Sequence, residues 1–203
     1  MDGIFFVPYR LHKSNVMDSD KFIFCLEGVA DIENNTATEV VKSLEKLAFN
    51  QGISSIYKTC DTIEGLEESL NTLLYDDHNF KDYEIIYLVM KGEPNNICLH
   101  EYYYSLEEIA EIFEGKMKGK ILHFANSKIL DLTPEESQYF LDITGARAIS
   151  GYGTVSNKFT STSSVDKAFF RLCQEEDDLI EIVETLYEKH YDLCKLLDFR
   201  LYY

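Results

Sequence analysis

Short, dense hydrophobic runs alternate with stretches of helical hydrophobic spacing along most of the chain. The runs KFIFCLEG (21–28) and EIIYLVM (84–90) are almost wholly apolar, which is typical of strands buried on both faces of a parallel sheet. Shorter runs predict strands at 53–60, 120–125 and 146–152, with a hairpin strand at 97–100. Helical spacing predicts helices over 36–50, 63–74 and 106–113, a fourth opening at Thr133, and two more near 165–173 and 179–195.

This alternating order predicts an α/β fold, a three-layer sandwich with a mostly parallel central sheet and helices on both of its faces. The pattern divides the chain into an N-terminal segment (1–20), an α/β domain (21–173) and a C-terminal helical extension (174–203) packed on the same domain. Residues 153–164 are polar, rich in Ser and Thr and without periodicity, so we predict a loop there.

The carboxyl ends of parallel strands are where α/β proteins collect ligand-binding and catalytic groups. The predicted strands of this chain end near polar residues and near one aromatic residue. We therefore predict a crevice over the strand ends, bordered by Glu27, Glu93, Asn126, Ser127 and Tyr152.

The charge of the chain narrows the range of partners. The formal net charge is -17 at pH 7, so the surface repels nucleic-acid backbones and anionic membranes and favours a protein or peptide partner with a basic face. Five cysteines without a CxxC pair predict reduced thiols and neither a metal site nor a cofactor. The sequence contains no signal-peptide pattern and no long apolar stretch, which predicts a cytoplasmic protein without a membrane anchor.

Four short motifs together resemble a known group of proteins. They are FCLEG (24–28), GEP (92–94), HF (123–124) and the spaced GA.A..GY pattern (145–152). As a set they are similar to bacterial caspase-like (CHAT-like) domains of an uncharacterised family, over roughly residues 21–173. The resemblance implies a catalytic His after the third strand of the main sheet and a catalytic Cys after the fourth.

This chain departs from the family pattern at both of those positions, where it has Lys91 and Ser127. A lysine with a reference pKa of about 10.4 is mostly protonated and is a poor general base, and a serine hydroxyl needs a strong base before it attacks. We therefore expect no catalytic residues, only degenerate dyad positions. The resemblance then implies a protein-binding or regulatory module in bacterial signalling, stress or phage defence.

Several alternatives stay open at this stage. In one alternative, Ser127 and Lys91 form the Ser–Lys dyad of a hydrolase. In a second, the chain is a hydrolase or peptidase with an unrecognised site. Cys98 and His100 share a strand face and are a weaker nucleophile pair. His123 is expected to be a hydrogen-bonded, partly buried histidine rather than a catalytic one. Glu27 and Glu93 either pair with Lys91 or are ordinary exposed charges, and Tyr102–Tyr104 are either an interface patch or packing residues.

Overall fold

A computed structural model describes residues 22–30, 32, 38–78, 80–125, 130–154 and 159–203, without the side chains of 159–161. The strands are β1 (Phe22–Gly28), β2 (Ser55–Cys60), β3 (Tyr83–Val89), β4 (Asn96–Leu99), β5 (Tyr102–Ser105), β6 (Ile121–Ala125), β7 (Ala148–Tyr152) and β8 (Phe199–Tyr202). The α-helices are α1 (Glu39–Gln51), α2 (Ile63–Asn71), α3 (Leu106–Ile112), α4 (Pro134–Thr144), α5 (Phe159–Glu175) and α6 (Leu179–Leu197). A π-helical turn (Thr72–Asp76) continues α2, and a 3-10 turn (Phe80–Asp82) precedes β3.

Six of the strands form one sheet in the order β2-β1-β3-β6-β7-β8. The first five are parallel, and β8 runs antiparallel to β7 at the edge. The strands β4 and β5 form a separate hairpin. The predicted fold class, a mostly parallel central sheet flanked by helices, is confirmed.

Two hydrophobic cores lie on opposite faces of this sheet. One contains inward residues of α1, α5 and α6, such as Val40, Phe169 and Leu186. The other contains residues of α2, α3 and α4, such as Leu66 and Phe140. The helices α1 and α2 follow successive strands but pack on opposite faces of the sheet. The sheet is therefore covered on both sides, as expected for strands that are continuously apolar.

Three elements differ from the sequence prediction, and the first is β5 (Tyr102–Ser105), where no strand was predicted. Residues 159–164, predicted as part of a loop, belong to α5, because Thr162 and Asp166 are buried and packing outweighs the weak helix propensity of the Ser/Thr run. The predicted helical extension also contains a strand, β8, which joins the main sheet. That strand is short and follows α6 with a single residue between them, Asp198, in the left-handed conformation, so no Gly or Pro marks it.

Residues 1–20 lie outside the described residues, so the predicted division of the chain stays a prediction. In the part of the chain that is described, no helix combines the length and apolar character that a bilayer span needs.

Candidate functional site

The carboxyl ends of β3 and β6 lie side by side in the sheet. Val89 pairs with Ala125, and the Met90 N–H donates to the Ala125 carbonyl at 3.1 Å. Lys91, the next residue, is exposed. Asn126 and Ser127 come after Ala125 and lie outside the described residues, so the Ser127–Lys91 dyad stays a prediction. The two chain segments that the resemblance singled out nevertheless leave the sheet from neighbouring strands.

A tight return of the chain covers the end of β3. The Cys98 N–H donates to the Lys91 carbonyl at 2.6 Å, which folds β4 back against the strand end. A Cβ atom at Gly92 would lie 1.9 Å from the Asn96 carbonyl oxygen, so only glycine fits at this turn. Leu99 is buried and approaches Gly28, where a Cβ atom would lie 3.2 Å from its Cδ2. The hairpin therefore packs over the ends of β1 and β3.

The segment that begins at Leu130 is also fixed in place. Asn95, with φ of 54°, donates its side-chain amide to the Asp131 carbonyl at 2.6 Å and accepts from the Asp131 N–H at 2.7 Å. The Leu130 N–H donates to the Tyr152 carbonyl at 2.8 Å, and Arg200 donates to the Leu130 carbonyl at 3.1 Å. These bonds connect the hairpin loop, β7 and β8 around one edge of the crevice.

The two predicted crevice carboxylates are both half-buried. The Glu27 carboxylate accepts hydrogen bonds from the Thr38 hydroxyl and the Tyr57 hydroxyl, both at 2.7 Å. Glu27 is therefore oriented toward the start of α1 and toward β2, and these hydroxyls, not Lys91, are its partners. Its carboxylate borders the strand ends as a fixed acceptor.

Tyr152 does not border an open crevice, which corrects the sequence prediction. Its side chain is only 4% exposed, and its hydroxyl donates to Asp166 on α5. The reason is strand alternation: Ser150 and Tyr152 point to the same face of β7, and α5 covers that face. Tyr152 is part of the core instead.

That core contains a polar network that the sequence analysis missed. His123 Nδ1 lies 2.8 Å from Ser150 Oγ, and His123 Nε2 lies 2.9 Å from Asp166 Oδ1. The Tyr87 hydroxyl donates to Asp166 Oδ2 at 2.8 Å. All of these side chains are buried. The expectation that His123 is hydrogen-bonded is confirmed, but its side chain is completely rather than partly buried.

The charge of this network is centred on Asp166. Burial by itself raises the pKa of the Asp166 carboxyl, but hydrogen bonds from His123, Tyr152 and Tyr87 outweigh burial and leave the pKa below its usual value. Burial is also the main reason why the pKa values of the Tyr87 and Tyr152 hydroxyls are raised. An ionised Asp166 favours a proton on His123 Nε2, and His123 Nδ1 is paired with the Ser150 hydroxyl.

This Ser–His–Asp connectivity resembles a nucleophile relay, but its surroundings are those of a structural core. Ser150 and His123 are 0% exposed, and the imidazole is enclosed by the rings of Tyr87, Phe169 and Phe170. No acyl substrate reaches Ser150 in this structure. A signal for the network was present in the sequence, because helical spacing places Asp166 on the same face as Phe169, Phe170 and Cys173.

The cysteines do not supply a nucleophile at the strand ends. Cys25, Cys60, Cys173 and Cys194 are buried, and Cys98 is half-buried in the hairpin. Burial raises the pKa of the Cys25 thiol well above its usual value and that of Cys60 to about 12. No hydrogen bond between Cys98 and His100 occurs among the described residues. The described part of the chain likewise contains no group of three or more potential metal ligands.

Comparison with known proteins identifies a family and a fold. The model of a family described as "Family of unknown function (DUF6642)" matches residues 20–203. No curated protein matches the sequence. Caspase-1 from Spodoptera frugiperda is similar in structure, with a TM-score of 0.52 and 14% sequence identity over 91% of this chain and 84% of that chain. At that identity the likeness shows a caspase-like fold and nothing further.

Proposed function

Because the chain belongs to DUF6642, a family of unknown function, we propose its role from the site: it is a protein-binding or regulatory module on a caspase-like scaffold without Cys–His peptidase chemistry. The proposal rests chiefly on the residues immediately after β3 and β6. Lys91 comes after the first strand, and the sequence Asn126-Ser127-Lys128 comes after the second. Neither sequence contains a His or a Cys.

The chemistry of these residues supports the proposal. A Cys–His dyad requires a thiolate and an imidazole that exchanges protons near neutral pH. Lys91 is exposed to solvent in the structure. Four of the five cysteines are buried. The fifth, Cys98, is half-buried in the hairpin that folds back against Lys91.

The binding surface that we propose is the crevice over the strand ends, bordered by Glu27, Lys91, Glu93, Asn126 and Ser127. The hydrogen bonds of Asn95 with Asp131 make its described borders rigid, which lowers the entropic cost of recognition. The net charge of -17 favours a partner with a basic face and accelerates its association at low salt. The resemblance to CHAT-like domains suggests bacterial stress or phage-defence signalling as the setting.

Covalent labelling tests the absence of peptidase chemistry. The full chain is treated with a fluorophosphonate and a haloacetamide, and labelled residues are located by mass spectrometry beside Ser127→Ala and Ser150→Ala variants. We expect no fluorophosphonate adduct and haloacetamide adducts at Cys98 only. Stoichiometric labelling of Ser127, together with peptide turnover that disappears in Ser127→Ala, would replace the binding module with a serine hydrolase.

A charge reversal tests the binding surface. After a partner is recovered by pull-down from the native host, its association rate is measured for the wild type, Glu93→Lys and the control Glu45→Lys, an equal charge change on α1. We expect slower association for Glu93→Lys alone, and weaker binding as salt rises through about 0.15 M. Equal kinetics for Glu93→Lys and the wild type would show that the crevice is the wrong surface.

A further inference from the structure

The edge strand β8 forms one side of a groove whose other side is α6. The groove has a volume of about 610 Å³. Its apolar lining comes from Leu132, Ile180, Val183, Leu201 and Tyr203. Ile180 is 50% exposed and Tyr203 is 66% exposed, so the groove presents large apolar side chains to solvent.

Among the described residues, part of the backbone hydrogen-bonding capacity of β8 is unused on the side of the groove. In the described residues β8 pairs with β7 alone, so one edge of β8 has no strand partner. The Gly153 N–H donates to the Asp198 carbonyl at 2.7 Å, which fixes the alternation of the ladder. By that alternation Arg200 and Tyr202 direct their backbone groups to β7, whereas Phe199 and Leu201 direct theirs outward.

The position of the Tyr187 side chain agrees with this assignment. Its hydroxyl donates to the Phe199 carbonyl at 2.8 Å from the α6 side. One of the outward groups is thereby satisfied, and the N–H and C=O of Leu201 face the groove. An incoming extended segment can exchange two hydrogen bonds with Leu201, which a docked helix cannot do.

Negative charges predominate around the groove. Arg200 is already engaged by Asp198 and Asp131, with 2.7 Å from Nη2 to the Asp198 carboxylate. Glu184 is exposed on the groove wall and forms no ion pair among the described residues. A basic side chain on the occupant complements Glu184. A second copy of this chain, with its net charge of -17, is instead repelled by the negative charge of the groove.

We propose that the β8–α6 groove binds an extended peptide segment of a partner protein by strand addition. The segment has apolar residues at alternate positions, which face Ile180, Val183 and Leu132, and a Lys or Arg placed against Glu184. Because β8 is antiparallel to β7, the groove starts near the strand-end crevice at Phe199 and runs away from it. It is a second surface, although Asp131 and Arg200 belong both to its lining and to the border of the crevice.

The test starts from a displayed library of random ten-residue peptides selected on the full chain. Selected peptides are synthesised with a fluorescent label, and their dissociation constants are measured for variants of the full chain. Ile180→Asp places a charge in the groove, and Leu201→Pro removes the outward N–H while leaving the bonds to β7. The control is Phe49→Asp, at a side chain that is 88% exposed on α1.

We expect selected peptides with alternating apolar residues and a basic residue, whose affinity falls at least tenfold in Ile180→Asp and in Leu201→Pro. Phe49→Asp and Glu93→Lys should leave the affinity unchanged, so a failure here is separate from a failure of the crevice. Hydrogen exchange of the Leu201 amide should slow on peptide binding. The proposal would be overturned by unchanged affinity in Ile180→Asp or by the absence of any selected binder. It would also be overturned if the protection of the Leu201 amide depended only on protein concentration, which would assign the groove to a second copy.

Discussion

At the scale of single residues, the buried carboxylate of Asp166 determines how α5 is attached to the sheet. It receives hydrogen bonds from side chains on three different strands, namely Tyr87, His123 and Tyr152. A buried charge is tolerated only when it is well paired, and here three donors replace the lost hydration. The network thus connects β3, β6 and β7 to one helix and forms part of the core.

Removing either the charge or one donor should destabilise the fold by different amounts. Asp166→Asn leaves the donors without an anion, and we expect a loss of about 3 kcal/mol in the free energy of unfolding. Tyr152→Phe removes a single bond to a charged acceptor and should cost about 2 kcal/mol. Urea unfolding at pH 7 measures both, with the exposed Asp192→Asn and Tyr191→Phe as controls. Buried variants no less stable than the controls would show that the network does not hold α5.

The same carboxyl should make stability depend on pH in the acid range. Its pKa in the folded chain is below the usual value of 3.8, so the folded state binds fewer protons than the unfolded state. The stability that Asp166 contributes is therefore complete above the unfolded-state pKa and is lost as the pH falls through the folded-state pKa. Unfolding free energies at a series of pH values should show the gap between wild type and Asp166→Asn shrinking below about pH 4. A gap that stays constant, or grows, on acidification contradicts this assignment.

At the scale of elements, the turn between β3 and β4 shapes the crevice. The hairpin reaches its position only because residue 92 is a glycine, whose missing Cβ leaves room for the Asn96 carbonyl. The GEP motif thus has a steric explanation in its first residue. The hairpin in turn places Leu99 against Gly28, at the end of β1.

Gly92→Ala should therefore be costly, and Gly65→Ala should not. A Cβ at Gly92 overlaps a backbone oxygen, so we expect a loss of about 3 kcal/mol or a displaced hairpin. At Gly65, in the first turn of α2, the nearest atom to a Cβ is at 3.4 Å, and the variant should stay within about 1 kcal/mol of the wild type. Thermal unfolding compares the two variants. Equal melting temperatures would show that the turn relaxes without cost.

The elements also show how far the sequence alone could go. Dense apolar runs located β1, β3 and most of the other strands of the main sheet, because such runs report burial directly. The strand β8 was missed because it has only four residues, too few to show an alternating pattern, and because no Gly or Pro separates it from α6. Tyr152 was misplaced because the sequence does not state which face of β7 is covered. The Asp166 network was missed because its members are far apart along the chain and meet only through the fold.

At the scale of the whole molecule, the observed fold is distinct from the chemistry that we propose for its strand ends. The sheet order, the antiparallel edge strand and the structural likeness to caspase-1 describe a caspase-like fold. The sequences that follow β3 and β6, which include Lys91 and Asn126-Ser127-Lys128, contain no His or Cys immediately after the strands. A fold shared with peptidases does not by itself imply peptidase activity, which depends on the groups at the site.

The most direct measurement is mass spectrometry of the full chain incubated with a partner that was recovered by pull-down from the native host. Native spectra report whether a complex forms, and denaturing spectra of the same sample report whether the partner has been cut. We predict a complex that weakens in Glu93→Lys and a partner whose mass stays unchanged over many hours. Fragments of the partner that accumulate with the wild type and vanish with Ser127→Ala would contradict the account.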